Sequence, residues 1–180
     1  MNILFVSLGC DKNLVDTEVM LGLLASRGHQ MVDSEEIADV IVINTCCFIH
    51  DAKEESIQTI LEMAEYKKAG SCKALIVTGC LAQRYKQEII DEIEEVDAVL
   101  GTTSYDKIVE AIDEALAGYT SVEMTDIDAL PLVESKRLVT TGGHFAYLKI
   151  AEGCDKHCTY CIIPKIRGNF RSVPIERLLK

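Results

Sequence analysis

The sequence predicts a doubly wound α/β domain built on a parallel sheet. Short apolar segments of strand length alternate with amphipathic segments of helix length, and the connections between them are short. The segment Asp39–Thr45 is an unbroken, largely β-branched run, which is typical of a strand buried on both faces. Because such strands are joined by right-handed crossovers, we expect them to run parallel.

The predicted elements begin with the first residues of the chain. Each strand is an apolar run, and each helix carries apolar residues at helical spacing. Gly28 and Gly70 are expected to end the first two helices. The predicted strands are Asn2–Leu8, Gln30–Val32, Asp39–Thr45, Ala74–Thr78 and Ala98–Leu100. The predicted helices are Leu14–Arg27, Asp51–Ala69, Gln83–Glu95 and Tyr105–Leu116.

The composition is that of a soluble globular protein, with 48% hydrophobic and 26% charged residues. No apolar run approaches the roughly 20 residues that span a bilayer. The start, Met1–Val6, lacks the basic residues and cleavage site of a secretory signal. We therefore expect a cytoplasmic protein without a membrane partner. In that reducing compartment its eight cysteines are better explained by metal binding than by disulfides.

The charge is distributed unevenly along the chain. Residues 1–144 carry 11 basic and 26 acidic side chains, a net of −15, whereas residues 145–180 carry 7 and 3, a net of +4. An acidic body repels the phosphates of nucleic acid and attracts basic partners. The distribution therefore favours a basic protein substrate over RNA.

Three cysteines follow the ends of the first, third and fourth predicted strands. They are Cys10, Cys46 and Cys80. A flavodoxin-like strand order puts these strands side by side, and ligands of such sheets gather outside the carboxyl ends of the strands. Any one of the thiols alone is better explained as a small buried hydrophobe. All three at equivalent strand ends predict a metal site.

A second set of thiols, Cys154, Cys158 and Cys161, has the spacing CxxxCxxC and follows the predicted strand Phe145–Ile150. Cysteine thiolates are the usual ligands of iron–sulfur clusters, and three of them leave one iron of a cubane open for chemistry. The alternatives are a zinc knuckle or three loop thiols without metal. Zinc prefers four closed ligands, and His157 is too near in sequence to be an easy fourth.

The motif CxxxCxxC, with Tyr160 before its last thiol, resembles the signature of radical S-adenosylmethionine (SAM) enzymes. The longer strings Ala146–Cys154 and Cys161–Gly168 resemble the methylthiotransferase branch of that superfamily. Ser7–Cys10, Asn44–Cys46 and Thr78–Cys80 resemble the cluster-binding motifs of its N-terminal domain. The resemblance covers the whole chain.

This resemblance implies two 4Fe–4S clusters, each with one free iron, and SAM as cofactor. The trio Cys154, Cys158 and Cys161 would hold the cluster that cleaves SAM, with Tyr160 at the cofactor, and the trio Cys10, Cys46 and Cys80 would hold the second cluster. In such enzymes a 5′-deoxyadenosyl radical removes hydrogen from an unactivated carbon, which then receives sulfur methylated by a second SAM. The cofactor supplies a chemistry that acid–base groups cannot.

The string Gly9–Asn13 is more similar to the branch that modifies an aspartate of a small-subunit ribosomal protein than to the tRNA-adenosine branch, which usually has Gln-Met-Asn after the cysteine. The implied partners are therefore a basic ribosomal protein and an electron donor of flavodoxin or ferredoxin type, with tRNA as the alternative substrate. A competing hypothesis is a non-enzymatic flavodoxin-like module that carries zinc or an electron-transfer cluster.

The resemblance divides the chain into an N-terminal cluster-binding domain (1–117), a linker (118–144) and the beginning of a radical SAM barrel (145–180). The segment Ser172–Ile175 predicts the start of a helix, because its proline is suited to the first turn. Because a barrel needs many more strand–helix units, we expect residues 1–180 to be a truncated form without methylthiolation activity.

Several other polar residues have simpler interpretations. Asn13, Asp16 and Glu18 follow Cys10 and suit helix capping and compensation of the helix dipole, with a site-lining role for Asn13 as the alternative. The pair Lys136-Arg137 is expected to be solvated, or else to contact a cofactor carboxylate. Two further thiols are not expected to bind metal, and no ligand role is expected for the histidines. The thiols are Cys47, which competes with Cys46, and Cys72 on a polar turn; the histidines are His29, His50, His144 and His157.

Overall fold

The centre of the molecule is a sheet of six parallel strands. A computed structural model describes residues 1–132 and 136–179. The strands are β1 (Asn2–Ser7), β2 (Gln30–Val32), β3 (Val40–Thr45), β4 (Ala74–Gly79), β5 (Val96–Leu100) and β6 (Ser121–Glu123). They lie in the order β2-β1-β3-β4-β5-β6, and each neighbouring pair is parallel. The predicted doubly wound, flavodoxin-like α/β fold is confirmed.

Helices connect the strands and cover both faces of the sheet. Gly28 and Gly70 follow the first two helices with φ of +80° and +82°, as the sequence predicts. Within residues 1–132 and 136–179, no helix is long and apolar enough to cross a membrane. The helices are α1 (Asp11–Ser26), α2 (His50–Lys68), α3 (Cys80–Glu92), α4 (Ile108–Leu116), α5 (Ile163–Arg167) and α6 (Ile175–Leu178), with 3-10 turns at Glu35–Ile37 and Tyr105–Lys107.

The core lies in two layers, one on each face of the sheet. Successive side chains of β3 alternate between them: Val40 and Val42 pack with α1 and α4, whereas Ile41 and Ile43 pack with α2 and α3. Every residue of β3 and β4 is buried. This two-sided burial explains why both strands are continuous apolar runs.

Two helices begin three residues earlier than predicted, and both starts lie at the carboxyl edge of the sheet. α1 begins at Asp11 rather than Leu14, and α3 begins at Cys80 rather than Gln83. In both cases a glycine with positive φ, Gly9 at +88° and Gly79 at +92°, turns the chain directly from strand to helix. The turns therefore place the two cysteines at or beside the first residue of a helix.

The sheet continues into the segment that the sequence predicts to be a linker. β6 pairs with β5 from Ser121 to Glu123 and was not predicted, because only one of its three residues is apolar. The predicted linker 118–144 includes residues 133–135, which lie outside the described residues, as does Lys180 at the end of the predicted segment 145–180.

The predicted strand Phe145–Ile150 is wrong. These residues form no strand; instead, the short strands β7 (Ala151–Glu152) and β8 (Arg171–Ser172) pair antiparallel. Leu148 and Ile150 are exposed, and the residue that turns inward between them is Lys149. Buried carboxylates pair with Lys149 and override the apolar pattern on which the prediction rested. The predicted helix after Ser172 is present as α6 and begins after Pro174.

Candidate functional site

The carboxyl edge of the sheet brings together the three cysteines that follow its central strands. Ser7 of β1 lies opposite Asn44 of β3, and Asn44 lies opposite Thr78 of β4. The three cysteines follow these registered residues by two or three positions. Strand pairing therefore collects thiols from positions 10, 46 and 80 at one edge, as predicted.

Gly9 allows the side chain of Cys46 to lie against the backbone that leads to Cys10. A Cβ atom at Gly9 would stand 2.9 Å from the Cys46 sulfur and 2.7 Å from its Cβ. No side chain larger than hydrogen fits this gap without displacing Cys46, and the φ of +88° independently favours glycine. Glycine at position 9 thus permits the Cys46 side chain to lie against the backbone next to Cys10.

The three thiols differ in burial. Cys10 is exposed at the rim, whereas Cys46 and Cys80 are buried. Burial raises the pKa of the Cys80 thiol to about 11, against the opposing effect of the nearby Arg167 guanidinium. The Cys80 sulfur also lies 3.7 Å from Asn13 Oδ1. This thiol is therefore enclosed by polar groups that belong to two distant parts of the chain.

Cys47 and Cys72 have other surroundings. The Cys47 thiol donates to the carbonyl oxygen of Cys80 at 3.2 Å. Burial raises the pKa of this thiol, although the nearby Arg84 opposes the shift. Cys72 lies just before β4, at the opposite edge of the sheet from Cys80, and its thiol donates to Ala74 O at 3.1 Å. Cys72 is buried in the core, which supports its interpretation as a small hydrophobic residue.

The CxxxCxxC segment forms a loop between β7 and α5. The Cys154 amide donates to Gly168 O and the Cys161 amide to Cys158 O, both at 3.0 Å, so the loop is closed at its base. Cys154 and Cys161 are half-buried, whereas Cys158 is exposed. The Tyr160 side chain is 91% exposed. The loop thus presents its thiols and one aromatic ring outward.

All six candidate ligands are free thiols. Among residues 1–132 and 136–179, no three His, Cys, Asp or Glu side chains are grouped closely enough to hold one metal ion. Two sets of three thiols, without a carboxylate or histidine in either set, match the donor chemistry of 4Fe–4S clusters.

The loop faces the sheet edge across an open cleft of about 450 Å³. Phe48 and Arg84, which follow Cys46 and Cys80 closely in sequence, form one wall. Cys158, Tyr160 and Cys161 of the loop lie on the other. The cleft is therefore lined by two thiols of the second set and by residues that closely follow two cysteines of the first set.

A buried network of charges attaches the C-terminal segment to α1. Arg167 donates to Asp16 at 2.8 Å, to Glu152 at 3.2 Å and to Asn13 Oδ1, and all four side chains are buried. Lys149 contacts the same two carboxylates, through a hydrogen bond to Asp16 and an ion pair of 3.1 Å to Glu152. Two cations and two carboxylates thus balance one another inside the protein.

The interpretation of Asp16 and Glu18 as capping residues of α1 is wrong. The expectation that Arg137 is solvated is also wrong. The N-cap of α1 makes no side-chain hydrogen bond. Asp16 and Glu18 are instead buried because they bind distant cations: Glu18 accepts from Arg137 at 2.7 Å, and from the backbone of Thr140 at 2.6 Å. Asn13 lines the cysteine edge, as the alternative interpretation expected, and its amide donates to Leu8 O and Thr45 O at 2.9 Å.

Comparison with known families gives one match. The model of a family described as uncharacterized protein family UPF0004 matches residues 2–101, more than half of the chain. This chain belongs to the UPF0004 family. The matched range contains Cys10, Cys46 and Cys80, whereas the CxxxCxxC loop lies beyond it.

Similar proteins extend the comparison past the UPF0004 match. Proteins named ribosomal protein uS12 methylthiotransferase RimO are 68% identical over all 180 residues in Lachnoclostridium phytofermentans, 53% over 176 residues in Desulforamulus reducens and 50% over 174 residues in Clostridioides difficile. The alignments cover 96–100% of this chain but only 39–41% of those relatives. The resemblance to methylthiotransferases is confirmed, and this UPF0004 chain spans about two fifths of the relatives' length.

Sequence reasoning did not identify the charged residues that connect the two parts of the UPF0004 chain. Lys149 and Arg167 stand within apolar strings, Tyr-Leu-Lys-Ile and Pro-Lys-Ile-Arg-Gly. Nothing in these strings distinguishes the buried Arg167 from the exposed Lys165 two residues earlier, or shows where a buried partner lies. Asp16 is 133 positions from Lys149 and 151 from Arg167.

Proposed function

We propose that this chain is the cluster-binding part of a radical SAM methylthiotransferase that modifies an aspartate of ribosomal protein uS12. The observation that carries the proposal is the convergence of Cys10, Cys46 and Cys80 at one edge of the sheet. The uS12 substrate comes from the names of the relatives, and such an enzyme works in the cytoplasm, where ribosomes are. The division into 1–117, 118–144 and 145–180 is part of the proposal.

In this proposal each trio of cysteines holds one 4Fe–4S cluster, and Tyr160 contacts SAM. Together the clusters and SAM supply one-electron chemistry that acts on an unactivated C–H bond. The protein fixes the relative position of the two sites through strand register and the buried network around Arg167. The open cleft leaves space for a substrate between them. The acidic body supports a basic protein substrate over tRNA, and an electron donor of flavodoxin or ferredoxin type completes the proposed set of partners.

Anaerobic reconstitution followed by iron and sulfide assay tests the two sites. We expect about eight irons per chain in the wild type and about four after Cys10, Cys46 and Cys80 are replaced by alanine, because one 4Fe–4S cluster is lost. Replacing the other trio should also leave about four. Cys72→Ala is the matched control and should leave the iron content unchanged. Near-zero iron in the wild type, or no loss in the first triple variant, would refute the N-terminal site.

Single variants distinguish the adjacent thiols. We expect Cys46→Ala to lose the N-terminal cluster and Cys47→Ala to retain it. The reason is geometric: the Cys46 sulfur lies against Gly9, whereas the Cys47 thiol is turned to the carbonyl oxygen of Cys80. Iron content and the electron paramagnetic resonance of the reduced cluster measure the difference. The opposite result would make Cys47 the ligand.

The competing hypothesis is a non-enzymatic module that carries zinc or an electron-transfer cluster. It is distinguished by adding SAM to the reduced, reconstituted chain. A SAM-dependent change in the electron paramagnetic resonance spectrum supports the enzyme, because only a cluster with an open iron binds SAM. Zinc in place of iron, or a spectrum that SAM leaves unchanged, supports the module.

A further inference from the structure

A second open hollow adjoins the cleft that Cys158 and Cys161 line. Its volume is about 560 Å³, and it shares Arg84, Ile162 and Lys165 with the first hollow of about 450 Å³. Lys86 lines the second hollow. We call the two hollows together the cationic cleft, defined by Arg84, Lys86 and Lys165.

The cationic cleft contrasts in charge with the rest of the protein. The chain has 29 acidic and 18 basic residues, yet no aspartate or glutamate of the part of the chain that the structure describes lines either hollow. Many cations elsewhere pair with carboxylates, such as Lys73 with Asp39 at 2.7 Å. Within the described ranges 1–132 and 136–179, the three cations of the cationic cleft form no ion pair with a carboxylate.

Both walls of the cationic cleft are anchored to the sheet. On the α3 side, the side-chain oxygen of Gln83 accepts from the Thr102 amide at 3.0 Å. On the α5 side, Thr102 Oγ1 donates to the carbonyl oxygen of Ile166 at 2.8 Å. The guanidinium of Arg84 lies 5.1 Å from the centre of the Tyr85 ring. One threonine thus ties together the helices that carry Arg84 and Lys165.

We propose that the cationic cleft binds the carboxylate of an acidic side chain in a peptide, with Arg84 and Lys165 as its charged partners. This inference rests on the proposed function and adds the residues that select its substrate. A guanidinium binds a carboxylate through two parallel hydrogen bonds, and an ammonium adds a point charge. The exposed ring of Phe48 offers apolar contact for the rest of the peptide.

The charge of the whole body favours a peptide over RNA. Residues 1–144 carry a net charge of −15, from 11 basic and 26 acidic side chains, so they repel a polyanion. A basic peptide with a single acidic residue fits both the acidic body and the cationic cleft. The body attracts the peptide, and the cleft binds its one carboxylate. Because Cys158 and Cys161 line the same cleft, the bound side chain lies beside the proposed SAM-cleaving site.

Peptide binding to the metal-free chain tests the inference without any cluster. The probes are a lysine-rich nonapeptide with one central aspartate, the same peptide with asparagine, and a short oligouridylate. Binding is followed by chemical shifts of the Arg84 Nε–H group and the backbone amides of 80–86 and 157–166. We expect the aspartate peptide to bind about tenfold tighter than the asparagine peptide, since only the former makes charge-assisted hydrogen bonds.

The variants assign the effect to the cationic cleft. Arg84→Gln and Lys165→Gln should each remove most of the preference for aspartate, and Arg84→Lys should restore part of it. Arg27→Gln, at the opposite edge of the sheet, removes one charge elsewhere and should leave the preference unchanged. The amide spectrum of each variant verifies that its fold is retained.

The inference would be overturned if the two peptides bound with equal affinity, or if neither bound measurably. Tighter binding of oligouridylate through the same residues would also overturn it. These outcomes are independent of the iron content, so they would leave the proposed clusters standing. Conversely, if the chain binds no iron but prefers the aspartate peptide, the proposed peptide site stands and the proposed cluster chemistry does not.

Discussion

Replacing Arg167 by methionine is expected to lower the free energy of unfolding by about 3–5 kcal/mol, the usual cost of leaving a buried charge without its partner. Without Arg167, Lys149 is the remaining buried cation for Asp16 and Glu152, whose side chains are only 6% and 4% exposed. Methionine has a similar length but cannot donate a hydrogen bond. Urea denaturation measures the change from the shift in midpoint.

Lys68→Met is the matched control for this prediction. Lys68 also contacts two carboxylates, Glu65 at 2.8 Å and Glu95 at 3.4 Å, but its side chain is 52% exposed. Solvent screens an exposed pair, which therefore contributes little to stability, so this variant should unfold almost like the wild type. If Arg167→Met cost no more than Lys68→Met, the buried network would not be what fastens residues 149–167 to α1.

Acid provides an independent measurement of the same network. Burial alone would raise the pKa of Glu152, but Arg167 and Lys149 overcome that effect and hold it at about 2, below the usual 4.5. Because the folded pKa is the lower one, the network stabilises the fold fully above pH 4.5 and loses this contribution as the pH falls toward 2. In Arg167→Met this acid-dependent loss should be smaller.

The sequence was sufficient for the features that depend on local pattern and strand order. The buried runs of β3 and β4 require two-sided burial, and parallel connection then fixes which strand ends are neighbours. For this reason the convergence of Cys10, Cys46 and Cys80 could be predicted, although Cys10 and Cys80 are 70 positions apart.

The features that were missed depend on contacts that no local pattern contains. Lys149 is buried because of Asp16, so Phe145–Ile150 fails to form the strand that its apolar residues predicted. In the same way, Asp16 and Glu18 stand where a helix cap or dipole partner is expected, but they bind cations far away in sequence. A charged side chain shows that a partner is needed, whereas only the folded chain shows which one it has.

Gly79→Ala is expected to destabilise the protein by about 4 kcal/mol, from backbone strain and overpacking together. Gly79 has φ of +92° and ψ of −154°, a region that is essentially restricted to glycine. A Cβ atom there would lie 2.6 Å from Thr45 O, 2.9 Å from Thr45 N and even closer to Asn44 Oδ1. Thr45 belongs to the central strand β3 and has no space to withdraw.

Asn44 cannot yield either, because its side-chain amide donates to Asn13 O at 2.8 Å and to Thr17 Oγ1 at 3.0 Å. The substituted chain must therefore separate the carboxyl ends of β3 and β4, and with them the thiols of Cys46 and Cys80. We expect Gly79→Ala to lose iron from the N-terminal site as well as stability, measured by the reconstitution assay and by urea denaturation of the same preparation.

Gly118→Ala separates backbone strain from close packing. Gly118 has φ of +85°, nearly the value at Gly79, but a Cβ atom there would meet nothing within 4 Å. Its substitution should cost only about 1–2 kcal/mol, the strain of a left-handed residue with a side chain, and should leave the iron content unchanged. Equal costs at the two positions would mean that strain alone acts at Gly79, and that the close approach of β3 and β4 is not what holds the thiols together.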